Sequence, residues 1–272
     1  MGRSFFFVKR NPLHARDLLC YNPLRARDLR FLYHCITMKR ILEICTQNIQ
    51  SVIAAQKAGA DRIELCSGLE LGGLTPSYAF TEMALERFEG KVLVLLRPRP
   101  GHFIYSKDEI ELLVREAKMM ADCGVHGIVF GALDQAGNVD IDVCSRLRDA
   151  APDLDFTFHR AIDVCRNPEE GIEVLIESGI KWVLTSGGAI VAIDALPRLT
   201  DWQKNYGDQI NLLIGGGVRS SNLARLMQTG AREYHLSAQE LLFSALEGEL
   251  IPGGYRSSSF EEITACREIL QA

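Results

Sequence analysis

Two short segments repeat one chemical pattern: Leu42-Glu43-Ile44-Cys45 and Ile63-Glu64-Leu65-Cys66. Successive side chains of a β-strand point to opposite faces, so Glu43 and Cys45 share one face, as do Glu64 and Cys66. If the segments are neighbouring strands, about 4.8 Å apart, the two thiols can meet. Two thiolates suit a soft, low-coordinate ion such as Cu(I). The same pair could instead close a disulfide if its Cβ atoms approach to about 3.8 Å, or pack as two small buried hydrophobes. Cys165, in a loop after a later strand, is a weaker third ligand candidate.

Other strand-like runs supply more polar groups to the same interior. Phe156-Thr157-Phe158-His159 turns Thr157 and His159 away from the two Phe, and the run through Tyr234 and Leu236 turns Glu233, His235 and Ser237 inward. Trp182-Val183-Leu184-Thr185 is read with Val183 and Thr185 inside and the two bulkier residues outside. Buried charges need partners, because an unpaired one costs several kcal/mol. Arg97, at the end of the third run, is the expected neutralising partner for the acids. Either Glu43, Glu64 and His159 are members of a satisfied ion network, or they include a general acid–base pair. The two roles are compatible.

Anion recognition is a third possibility. Gly215-Gly216-Gly217-Val218-Arg219-Ser220 joins a strand to a helix, where backbone N–H groups and a helix N-terminus can hold phosphate. Ser186-Gly187-Gly188 and Ser237-Ala238 would flank it. Arg97 and Arg99, in a long basic loop, could clamp a carboxylate or phosphate by bidentate bonds. No Lys ends a strand, which argues against a Schiff-base aldolase, and neither His-Glu-x-x-His nor Cys-x-x-Cys occurs.

These residues need a frame that gathers strand ends. Eight β-branched or apolar runs, each followed by a helical stretch, supply it: Ile41–Cys45, Arg62–Cys66, Val92–Arg97, Gly127–Gly131, Asp155–Arg160, Trp182–Ser186, Ile210–Gly215 and Arg232–Ser237. Eight parallel strand–helix units predict an α/β fold, a single (β/α)8 TIM barrel, with the chemistry at the C-terminal strand ends. Gly59, Gly124, Gly179 and Gly230 stand where helices end, and Asn48, Ser106 or Lys107, Asn167-Pro168 and Ser220-Ser221 where helices begin. Residues 249–258 read as a loop, and a last helix over about 259–271 closes the ring.

The barrel is expected over 38–272. Residues 1–37 hold an imperfect repeat, Asn11-Pro-Leu-His-Ala-Arg-Asp17 and Asn22-Pro-Leu-Arg-Ala-Arg-Asp28, with seven Lys/Arg against two Asp. They read as a poorly ordered N-terminal extension, or as an upstream segment ahead of a start at Met38. The net charge of −5 argues against a nucleic-acid-coating protein, and no apolar run approaches the ~20 residues of a membrane span. Eight scattered cysteines suggest reduced thiols in the cytoplasm.

The chain resembles the CutC copper-homeostasis family. The resemblance rests on Leu42-Glu-Ile-Cys45, Ala58-Gly-Ala-Asp-Arg-Ile-Glu-Leu-Cys66, Gly72-Gly-Leu-Thr-Pro-Ser77, Arg97-Pro-Arg99, Phe103-Ile-Tyr-Ser106, Gly131-Ala-Leu, Gly137-Asn-Val-Asp140, Thr157-Phe-His-Arg-Ala161, Leu184-Thr-Ser-Gly187, Gly215-Gly-Gly-Val218 and His235-Leu-Ser-Ala238. It implies a cytoplasmic barrel, a homo-oligomer (dimer or tetramer), linked to copper handling. By the same resemblance Cys45 and Cys66 occupy the two cysteine positions proposed for Cu(I). Two departures stand out. Arg-Pro-Arg-Gly-Gly becomes Arg97-Pro-Arg-Pro-Gly101, which stiffens the rim loop, and segment 238–256 lacks the Met-Arg-Tyr-Arg-Asn run.

Two functions follow as expectations. One is a cytosolic protein that binds Cu(I) through Cys45 and Cys66. The alternative is a barrel enzyme (lyase, isomerase or hydrolase) for a small phosphorylated or carboxylated substrate. It would bind that anion through Arg97, Arg99 and Gly215–Gly217, with Glu43, Glu64 and His159 as catalytic candidates.

Overall fold

A computed structural model describes residues 39–243 and 254–272. The expectations for 1–37 fall outside these residues. Eight parallel strands close into one barrel in chain order. They are β1 (Ile41–Thr46), β2 (Arg62–Leu65), β3 (Lys91–Leu95), β4 (Gly127–Phe130), β5 (Asp155–Phe158), β6 (Trp182–Thr185), β7 (Asn211–Gly215) and β8 (Glu233–Leu236). The helices outside them are α1 (Ile49–Lys57), α2 (Tyr78–Leu85), α3 (Lys107–Cys123), α4 (Ile141–Ala150), α5 (Pro168–Glu177), α6 (Leu196–Tyr206), α7 (Ser220–Leu226) and α8 (Phe260–Gln271). No helix among the described residues is long and apolar enough to cross a membrane.

Local chemistry sets these boundaries. Asn48 and Ser106 accept N-terminal N–H groups of α1 and α3, and Ser106 with Glu109 forms a reciprocal capping box. Gly124 ends α3 with φ 88°, a conformation that disfavours side chains with a Cβ. Gly59, Gly179 and Gly230 share this positive φ, as their positions in the sequence suggest.

The core has two layers. Leu42, Ile44, Ile63, Leu65, Val92, Val94, Phe156 and Phe158 join the large cluster between strands and helices. Cys45, Cys66, Leu93, Leu95 and Val129 form a smaller cluster inside the barrel. Register then positions the site. β1 pairs with β8 so that Glu43 stands beside His235, and with β2 so that Cys45 stands beside Glu64.

Two expectations are corrected. In β6 the faces are reversed: Val183 joins the helix-facing cluster, whereas Leu184 lines the barrel mouth. Trp182 also points inward, where its indole N–H donates to Glu233 Oε1 at 3.0 Å. Bulk suggested an outward Trp, but a half-buried indole N–H needs an acceptor and the interior provides one. The second correction concerns 249–258. Its last residues are a strand, β10 (Tyr255–Ser258), antiparallel to β9 (Gln239–Phe243). Ser258 N–H donates to Ser51 Oγ at 2.9 Å, and Ser258 Oγ donates to the Ser237 carbonyl at 2.8 Å. The added pair is thereby tied to α1 and to the end of β8.

Candidate functional site

A cavity of about 300 Å³ opens at the C-terminal mouth of the barrel. Cys45, Glu64, Arg97, His159, Gly216, Gly217 and His235 line it, with Arg160 and Arg219 from the surrounding loops. The barrel thus brings most of the residues singled out in the sequence to one place. Cys45 Sγ and Cys66 Sγ lie 3.6 Å apart, and both are free thiols. Only Cys45 reaches the cavity. Cys66 is fully buried beneath the loop after β2, where a Cβ on Gly73 would lie 3.8 Å from its sulfur.

Below the thiols lies an ion network. Arg62 bonds Glu43 through Nε and Glu233 Oε2 through Nη2, the latter at 2.8 Å. Glu43 Oε1 accepts from His235 Nδ1 at 2.6 Å. Arg97 is not the neutralising partner of these acids. It projects into the loops instead, where Nη1 donates to the Leu71 and Gly73 carbonyls at 3.0 and 2.9 Å and Nη2 to the Gly101 carbonyl at 3.0 Å. The reason is register: Arg62 precedes Glu64 by two residues on β2, so it shares the inward face and reaches Glu43 directly. That alternation was present in the sequence and would have identified Arg62.

The network separates the two acids. Burial alone would raise Glu43, but the Arg62 charge and the His235 hydrogen bond hold it at about 2. Glu64 meets no arginine at bonding distance among the described residues; its charged neighbour is His235. Burial, assisted by the Glu43 charge and opposed by His235, pushes it up to about 7. Burial works against a charged His235, yet the Glu43 hydrogen bond and the two carboxylates raise it above the usual histidine value. Cys45 is raised well above an ordinary thiol, first by its contact with Cys66, then by burial and the nearby carboxylates. An ion binding there must displace that proton.

His159 belongs to a different environment. Burial, with the Arg97 charge second, pushes it down to about 3, so the imidazole is neutral. Ala161 N–H donates to Nδ1 at 3.1 Å, which leaves the hydrogen on Nε2. That buried Nε2 has no partner among the described residues. The Phe103 ring lies 4.8 Å from the imidazole.

The anion candidates divide. Gly216 and Gly217 line the cavity with φ 101° and 68°. Their lack of a Cβ has a packing cause as well: a Cβ on Gly217 would lie 2.7 Å from Val191 Cγ1. Gly215 lies off the lining, packed so that a Cβ would be 2.5 Å from Leu184 Cδ1. The N-terminus of α7 already holds a carboxylate, since Glu262 accepts from Ser220 N–H and Oγ at 2.8 and 2.9 Å. Arg99 does not join the group. It pairs with Glu109 at 2.5 Å and donates to the His102 and Ile104 carbonyls.

Asp163 and Arg160 carry weight that sequence reasoning missed. Asp163 accepts from Thr185 Oγ1 and from the N–H groups of Ser186 and Gly188, at 2.5 to 3.2 Å. The Ser-Gly-Gly loop therefore wraps an internal carboxylate. Asp163 also holds Arg160 Nε at 2.8 Å, which keeps that guanidinium at the cavity wall. The signal was weak, because Asp163 lies in a short helical turn four residues beyond His159 rather than on a strand.

The CutC family model matches residues 40–240. A CutC family protein of Parabacteroides distasonis is 38% identical over 242 residues, spanning 86% of this chain and 99% of the relative. One from Pasteurella multocida is 39% identical over 199 residues, 73% of this chain and 82% of the relative. The crystal structure of a CutC from Streptococcus agalactiae, named for copper homeostasis, superposes with a TM-score of 0.70 at 27% identity, covering 73% of this chain and 98% of that one. Thiamine phosphate pyrophosphorylase from Pyrococcus furiosus shares the fold alone, at TM-score 0.55 and 15% identity, over 85% of this chain and 95% of that one.

Proposed function

Because this chain belongs to the CutC family, we propose that it is a copper-homeostasis protein holding Cu(I) between Cys45 and Cys66, in the cytoplasm, as a dimer or tetramer. The observation that carries the reading is the thiol pair, 3.6 Å apart inside the barrel with one sulfur on the cavity. Soft sulfur donors and a low coordination number favour Cu(I) over harder ions. With metal–sulfur bonds of about 2.3 Å, a separation of 3.6 Å gives an S–metal–S angle of roughly 100°. The arrangement is bent, and it leaves room for a third ligand on the Cys45 side.

Titration of the purified protein with Cu(I) against a competing chelator tests this. The Cys45→Ser, Cys66→Ser variant is expected to lose affinity by at least about 100-fold, at or beyond the upper end of the 10–100-fold typical of changes outside the ligand set. Unchanged affinity would refute the copper role.

A second reading, a barrel enzyme acting on a small phosphorylated or carboxylated molecule, draws support from the open cavity and its three arginines, Arg97, Arg160 and Arg219. Glu64, pushed up to about 7, has the range of a general acid–base at neutral pH. His159 is neutral and would act as a donor through Nε2. Glu43, held at about 2 within the ion network, is suited to orienting His235 rather than to exchanging protons. Phosphate or a phosphorylated sugar appearing in the cavity of soaked crystals would favour this reading over the first.

A further inference from the structure

We infer that the mouth of the barrel holds a second kind of metal site, a divalent ion of the zinc class bound by Cys45 Sγ, the Glu64 carboxylate and His235 Nε2. It draws on a ligand set that shares only Cys45 with the proposed copper pair, so it does not depend on that reading. The three donor atoms lie within 4.8 Å of one another. Glu64 Oε2 and His235 Nε2 are 3.4 Å apart. Two ligands about 2.1 Å from a tetrahedral ion are themselves about 3.4 Å apart, whereas 3.4 Å is long for a hydrogen bond. The pair is therefore spaced for an ion between its members.

The orientation of His235 is the stronger indication. A metal-binding imidazole commonly donates its other ring N–H to a carboxylate, which fixes the tautomer and turns the free lone pair toward the metal. His235 does this through Nδ1 to Glu43 Oε1 at 2.6 Å, and Arg62 in turn fixes Glu43. Once the ring is neutral, the lone pair of Nε2 faces Glu64 and Cys45. One sulfur, one oxygen and one nitrogen form a borderline donor set that suits Zn(II) better than Mg(II) or Ca(II). All three residues line the cavity, so a fourth position opens onto it. Three protein ligands with an open fourth position mark a catalytic rather than a structural zinc site. Water, or an oxygen of a small anion held by the arginines of the wall, would complete the coordination, and binding would release to solvent the Cys45 proton together with any proton held on Glu64 or on His235 Nε2.

Co(II) is the probe, since its visible absorption reports tetrahedral coordination and its near-ultraviolet charge-transfer band reports a thiolate ligand. Titrating the full chain with Co(II), then displacing it with Zn(II), is expected to show both bands at one equivalent. Cys66→Ser should retain them. Cys45→Ser should lose the thiolate band, and Glu64→Gln and His235→Gln should each weaken binding by at least about 10-fold. Glu43→Gln should weaken it by about 10–100-fold without changing the spectrum. The site is refuted if the wild-type protein gives no tetrahedral spectrum, an arm that is independent of whether the variants fold. It is refuted equally if the spectrum disappears in Cys66→Ser, or survives unchanged in Glu64→Gln and His235→Gln.

Discussion

His159 and Arg62 are the residues whose environments make the sharpest demands. His159 is held at about 3 in the folded protein, mainly by burial, against about 6.5 in an unfolded chain. The unfolded state therefore binds the proton first as pH falls. Stability from this group is complete above about pH 6.5 and is lost progressively between there and about pH 3. The His159 ring resonances are expected not to titrate near neutrality, and His159→Gln should flatten the acid limb of the stability curve. An imidazole titrating near pH 6.5 would contradict this. Arg62 bridges Glu43 and Glu233 inside the barrel. Removing one partner of a buried pair typically costs about 3–5 kcal/mol, so Arg62→Met should lower the urea midpoint accordingly. Adding Glu43→Gln should recover part of the loss, because it removes one of the two carboxylates that lose their cation. Most of this residue-scale picture was legible by strand alternation, including Glu43, Glu64, His159, His235 and Glu233. Alternation also marks Arg62 as an inward cation; it does not reveal that Arg97 turns into the loops, because strand patterns say which face a side chain takes and not where a long side chain ends.

At the scale of elements, the strands declared themselves through repetition, while β6 and the β9–β10 pair did not. β6 offers only Trp182, Val183, Leu184 and Thr185, and no polarity contrast separates Trp182 and Leu184 from Val183. Its reversal depends on a long-range acceptor, Glu233, that no local pattern reveals. β10 reads Tyr-Arg-Ser-Ser and lacks apolar alternation, so its strand character comes from pairing with β9 and from hydrogen bonds to α1. Ser51 is fully buried, accepts from Ser258 N–H and contacts Ser257 Oγ at 3.2 Å. Ser51→Ala would leave the Ser258 donor buried and unmatched, at about 1–3 kcal/mol. Amide exchange at residues 255–258 is expected to accelerate in that variant while the barrel strands stay protected. Unchanged exchange would show that the β9–β10 pair does not depend on α1.

The whole molecule explains why distant pieces of sequence converge. Closing eight parallel strands in chain order makes β1 the neighbour of both β2 and β8, so thiols, acids and a histidine separated by 192 positions or fewer meet at one mouth. The barrel supplies the gathering, the network of Arg62, Glu43 and His235 orients the donors, and the cavity gives an ion or anion access. That convergence was predictable from topology once eight units were counted. The sealing of Cys66 beneath the Gly72-Gly73 turn was not, since it rests on loop packing. X-ray absorption at the copper edge of the protein loaded with one equivalent of Cu(I) counts the sulfurs bound to the ion. Two sulfur scatterers and one lighter nitrogen or oxygen atom are expected around each copper. A first shell with fewer than two sulfurs would contradict binding between Cys45 and Cys66.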